Sequence, residues 1–158
     1  MQAKLAVPIL AALVLVPIAM ASTPPVGGGH YSGRDVPGNG IVTLAVKGNG
    51  ANFASGTFNL VLLGQAGRGS CVGPAHIALH PSRVRQITRK GTFDLRGSFQ
   101  FREPSSDPQA FRGTAHAIVR GSFSDHGKRV SGTVQLTVTG RGGLTCHSGL
   151  VRYTASLA

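Results

Sequence analysis

The sequence predicts an all-β protein: an antiparallel β-sandwich or small closed β-barrel of about eight strands. Three observations predict it. Three long runs alternate apolar and polar residues with a period of two, as strands do when one face is buried and the other is wet. The 23 glycines and 9 prolines among 158 residues gather largely in turn-like clusters and at the starts of those runs. No window of ten or more residues carries a 3.6-residue apolar stripe. Sandwich and barrel alternate in the same way, so the pattern leaves both open.

The chain opens with Lys4 and then an apolar run from Leu5 to Met20, followed by Ala19-Met20-Ala21 before Ser22. This is the pattern of a signal peptide over 1–21, cleaved between Ala21 and Ser22. The apolar run falls short of the ~20 residues a spanning helix needs, so export is expected, with no transmembrane span after cleavage. Residues 22–29, Ser-Thr-Pro-Pro-Val-Gly-Gly-Gly, read as a flexible linker that trails from the domain. A single all-β domain is expected over 30–158. Within it, weaker strands are expected at Ile41–Val46, Phe53–Leu63, Ile77–Leu79, Val84–Thr88 and Leu150–Ser156. The strong alternating runs are Thr92–Phe101, Phe111–Phe123 and Arg129–Thr139. Only Ile118 breaks their polar side. Turns are expected at Gly48-Asn49-Gly50, at residues 103–108 and at Asp125-His126-Gly127-Lys128.

The two cysteines, Cys71 and Cys146, lie in a chain expected to be exported, where oxidation is the default. They are expected to form one structural disulfide. An internal echo points the same way. Ser55-Gly56-Thr57-Phe58-Asn59-Leu60 precedes Cys71 much as Ser131-Gly132-Thr133-Val134-Gln135-Leu136 precedes Cys146. Two pseudo-equivalent halves would set the cysteines at matching positions. The opening His30-Tyr31-Ser32-Gly33 and the closing Cys146-His147-Ser148-Gly149-Leu150-Val151-Arg152-Tyr153-Thr154-Ala155 resemble small secreted β-rich proteins of high-GC soil bacteria. The resemblance implies a fold type and export, and nothing catalytic carries over from it.

Chemistry-bearing patterns are sparse. No G-x-S-x-G elbow exists, and Gly69-Ser70-Cys71-Val72-Gly73 has the wrong spacing. Cys146 and His147 are adjacent, but strand neighbours point to opposite faces. The five acids, Asp35, Asp94, Glu103, Asp107 and Asp125, face an excess of cations that would hold their pKa values down, the wrong direction for a general acid. His76 and His80 could chelate a metal only on a helix, since on a strand they stand about 13 Å apart. No nucleotide cradle can be placed, and tryptophan is absent. The expectation is therefore no enzyme, no cofactor and no metal.

One feature of the composition departs from the average: 16 basic residues against 5 acidic ones, a formal net charge of +11, with arginine at 12 of the 16. The run from Arg83 to Lys90 would put Arg83, Arg85 and Arg89 on one side of a strand. The polar registers of the strong runs carry Arg96, Arg102, Arg112, His116 and Arg120, and these five are the candidate binding residues. A basic face without interleaved aromatics suits phosphate or carboxylate polymers of the envelope or surroundings better than sequence-specific nucleic acid. The expected role is thus a secreted, non-enzymatic binding or structural domain. Two competing readings are diffuse charge that only confers solubility, and a secreted inhibitor or ligand-carrying β-barrel with its site at one end.

Overall fold

A computed structural model describes residues 22–36, 40–62, 65–66, 69–70, 73–102, 112–140 and 143–158. The strands are β1 (His30–Val36), β2 (Ile41–Val46), β3 (Phe53–Leu62), β4 (Gln65–Ala66), β5 (Gly69–Ser70) and β6 (Gly73–Leu79). They continue with β7 (Thr92–Arg102), β8 (Arg112–Ser124), β9 (Arg129–Gly140), β10 (Thr145–His147) and β11 (Val151–Leu157). Among the described residues there is no α-helix, and none long and apolar enough to cross a membrane. Eight strands form one antiparallel sheet in the order β6-β3-β2-β1-β11-β9-β8-β7, curled into a half-barrel. The short β10 adds to β9, and β4 pairs with β5 as a separate ribbon.

The period-two runs place their apolar registers inside. Phe93, Ala115, Ala117, Val119, Phe123, Val130, Val134, Leu136 and Val138 are all buried. The other half contributes Val42, Leu44, Phe53, Phe58, Leu60 and Ile77. Aromatic rings hold the two halves together edge to face, with Tyr31 5.2 Å from Phe123 and Phe58 5.0 Å from Tyr153 between centroids. The β-hairpin turn after β8 runs through left-handed Asp125, His126 and Gly127, at φ of 51°, 54° and 81°. Both halves of the internal echo lie on strands with neighbours on either side, β3 between β2 and β6, β9 between β8 and β11.

Three expectations need correction. Residues 84–88 are not a strand: the stretch between β6 and β7 is irregular. There Ile87 turns inward to full burial while its amide and that of Gln86 both donate to the Ala51 carbonyl, at 2.9 and 3.0 Å. Arg83, Arg85 and Arg89 therefore share no strand face. Residues 22–29 do not trail from the domain. Thr23 donates its amide to Phe123 O at 2.8 Å, Gly127 donates to Thr23 Oγ1 at 2.9 Å, and Tyr31 Oη accepts from Val26 at 3.0 Å. This segment covers one end of the half-barrel, and Pro25 is buried within it. Strand β1 had no legible alternation because its inward positions are Tyr31, Gly33 and Asp35. Gly33 sits against Thr154 O and Ala155 of β11, where no side chain fits. The buried Asp35 accepts the Gly40 amide at 2.7 Å across the β1–β2 connection.

Candidate functional site

Strands β7 and β8 form a long hairpin whose outward registers carry all five candidate binding residues. The ladder sets Arg102 opposite Arg112, Ser98 opposite His116, and Asp94 opposite Arg120. Arg96 follows two residues after Asp94 on the same face. Every one of these side chains is exposed. The next strand aligns Thr133 with Arg120, and β11 then aligns Arg152 with Thr133, so a further cation extends the row.

The composition alone did not single out Asp94. Its two oxygens divide between two guanidiniums: Arg96 Nε lies 3.3 Å from Oδ1 and Arg120 Nε lies 3.0 Å from Oδ2. Hydrogen bonds from Arg96 and then Arg120 hold its carboxyl below the usual aspartate range. The signal was present in the sequence as D-x-R on one alternating register, but the partner at Arg120 depends on the β7–β8 register. Two arginines of the face thus share one acid. Arg102 and Arg112 are cross-strand partners at the other end of the ladder, and like charges directly opposite weaken a ladder.

Midway along the hairpin, Ser98 Oγ and His116 Nδ1 form a hydrogen bond of 2.8 Å. Thr137 and His147 continue this row on β9 and β10. A serine and a histidine in contact suggest an activated hydroxyl, but the three described carboxylates are engaged elsewhere. Asp35 binds Gly40, Asp94 binds the two arginines, and Asp125 lies near Arg129 and His126. Among the described residues no acid contacts the imidazole, and the pair forms a cross-strand polar contact on an open sheet face.

His76 lies on the extended strand β6 and His80 just past its end, so the one-face chelate that a helix would create does not form. Cys146 is fully buried on β10, and the described residues hold no free cysteine. Its expected partner Cys71 lies outside the described residues, as do Ala21 and the whole of residues 1–21. Strand β4, a few residues before Cys71 in the chain, lies against β10.

A second feature was not legible in the sequence. The outermost strands β6 and β7 form no ladder with each other, and both line one open cleft of about 530 Å³. Its floor is apolar, built from Ile77 of β6, Leu95 and Phe99 of β7, and Ala117 and Val119 of β8. Leu95 and Phe99 point inward yet stay only half-buried, and among the described residues no strand pairs with this side of β7. Gly97 stands between them on the same register, and a Cβ placed there would meet nothing within 4 Å. Arg85, Asp94, Arg96 and Ser98 form the polar rim. A further cavity of about 460 Å³ continues along the same edges, between Pro74–His76 and Phe99–Arg102. By contrast the centre of the half-barrel is filled by Phe53, Phe58, Phe93 and Phe123. No protein-family model, curated protein or solved structure matches this chain.

Proposed function

We propose that this protein is a non-enzymatic binding module that engages anionic polymers through the outer face of the β7–β8 hairpin. The observation that carries the reading is the charge balance of that face: Arg96, Arg102, Arg112, Arg120 and Arg152 lie on its outward registers, and among the described residues the face carries one carboxylate, Asp94. Residues two apart on a strand repeat at about 6.6 Å and strands at about 4.8 Å, which makes a fixed two-dimensional array of cations. A flexible chain of phosphates or carboxylates can satisfy such an array without any sequence being read. It would also relieve the opposition of Arg102 and Arg112, and counterion release would drive the association. Export fits this role, resting on the signal-like residues 1–21, and places the partner in the envelope or outside the cell. The reading includes a Cys71–Cys146 disulfide, supported by the burial of Cys146 and by the approach of β4 to β10.

Retention on immobilised long-chain polyphosphate, eluted by a sodium chloride gradient, tests the patch. Replacing Arg96, Arg102, Arg112 and Arg120 together by glutamine should lower the eluting salt well beyond the effect of replacing Arg83, Arg89, Lys90 and Lys128. All four of these control residues are exposed and lie off the hairpin face. Equal shifts for the two variants would leave only net charge and reject the patch.

A further inference from the structure

An antiparallel sheet that is not closed leaves two rows of backbone amides and carbonyls without ladder partners. Among the described residues the two rows, on β6 and on residues 93–100 of β7, border the same cleft. They are not equivalent. Strand β6 is seven residues long and carries Pro74, which has no N–H to offer. Strand β7 has eleven residues and no proline. Beneath its free edge lies the apolar floor of Leu95, Phe99, Ala117 and Val119, with the vacancy over Gly97 at its middle. The cleft, at about 530 Å³, falls within the ~300–1,000 Å³ of ordinary ligand sites. With the neighbouring cavity it runs along β7 from Asp94 to Arg102. Nine residues of strand span close to 30 Å, so the groove has the length of an extended peptide and not of a compact small molecule.

We infer that the free edge of β7 is a docking site for an extended peptide segment of another protein, added to the sheet as an extra strand. Main-chain hydrogen bonds to β7 would supply affinity, and alternate side chains would supply selectivity. Every second side chain of the guest would point to the floor, where Gly97 leaves space for one of Val or Leu size. The intervening side chains would stand on the outer face beside Arg96 and Arg102, so the charge complement is acidic. The guest is therefore a segment alternating apolar and acidic residues. Charge also argues against a second copy of this chain. Two β7 edges paired antiparallel would bring Arg96 and Arg102 of each copy together, in a protein already carrying a net charge of +11. This site is distinct from the polyanion patch: it needs the edge and the vacancy over Gly97, whereas the patch needs the arginine array.

The test uses an acetylated and amidated heptapeptide of alternating glutamate and valine, followed by amide hydrogen exchange and by titration calorimetry. Binding should protect alternate β7 amides between Phe93 and Phe99 by at least tenfold. The same peptide with its alternate amides N-methylated should lose at least tenfold in affinity, and a lysine–valine heptapeptide should bind more weakly still. Gly97→Leu should fill the vacancy and weaken binding by at least tenfold, with its unfolding midpoint unchanged or raised and its retention on polyphosphate unchanged. The double variant Arg112→Gln/Arg152→Gln, on β8 and β11 and away from the β7 edge, should do the reverse, losing polyphosphate and keeping most peptide affinity. Equal binding of the N-methylated peptide, or binding without new protection on β7, would overturn the strand-addition site. Protection of β7 before any peptide is added would overturn it too, since a second copy or residues 1–21 would then occupy the edge.

Discussion

The hydroxyl of Tyr153 donates to the backbone carbonyl of Arg120 at 3.0 Å, reaching from β11 across the whole width of β9. It can do so because the two residues beneath it, Gly132 and Gly121, are cross-strand partners without side chains. A Cβ at Gly132 would run into Arg120 O and lie 2.7 Å from the Tyr153 hydroxyl, and one at Gly121 would strike the Phe93 ring and the Tyr153 hydroxyl. The tyrosine ring takes the place of two missing side chains. Burial also raises its phenol far above the ordinary tyrosine range.

Gly132→Ala is therefore expected to destabilise the fold by about 1–3 kcal/mol, the usual cost of overpacking a filled core. Tyr153→Phe should cost about 0.5–1.5 kcal/mol through the lost hydrogen bond. Gly97→Ala, with open space around its Cβ, serves as the comparison and should be neutral or mildly stabilising. Urea midpoints for the three variants check the ranking, and a Gly132→Ala protein as stable as the parent would refute the packing account.

Leu136 and Gln135 are neighbours on β9 that face opposite ways, the leucine fully buried and the glutamine exposed. Leu136→Ala should cost about 2–5 kcal/mol, while Gln135→Ala should stay within about half a kcal/mol. Matching urea midpoints for these two variants would contradict the strand register.

Asp94 should titrate below the usual aspartate range because Arg96 and Arg120 both hydrogen-bond its ionised form. A carboxyl whose folded pKa is depressed contributes stability above its unfolded value, near 3.9, and loses it as pH falls through the folded one. The carboxyl is exposed, so the stability effect is small and the titration itself is the measurement. Carbon NMR of the side-chain carboxyl should give a midpoint that rises in Arg96→Gln and rises again when Arg120→Gln is added. An unmoved midpoint would show that the contacts do not persist in solution.

For the proposed Cys71–Cys146 disulfide, mass spectrometry of the protein alkylated without reduction should find no added label, and reduction should expose two sites. Closing a loop of this length constrains the unfolded chain by about 4 kcal/mol in the entropy model, so the reduced protein should melt at lower temperature. Two labelled cysteines in the unreduced protein would remove the bridge.

The strand faces were legible in the sequence because burial on one side of a sheet imposes a period of two. Phe93 to Phe101, Phe123 to Ala115 and Val130 to Val138 display it residue by residue. Legibility failed where the inward residues are not apolar. Strand β1 points Tyr31, Gly33 and Asp35 inward, and Gly33 is there only to let β11 approach. It failed again at Val84–Thr88, where composition favours a strand but the Ala51 carbonyl and the buried Ile87 fold the chain into an irregular cap.

By itself, then, the sequence determined the fold class and the outward registers that carry Arg96, Arg102, Arg112 and Arg120. Local alternation is enough for that, since each strand reports its own two sides. Only the tertiary structure decided which strands remain at the edges. Strand order depends on pairings between residues far apart in the chain, such as Tyr31 with Leu157 and Gly56 with Leu79, and no local pattern encodes them. Those pairings leave β6 and β7 facing each other without a ladder, put Asp94 between Arg96 and Arg120, and open the cleft over Gly97.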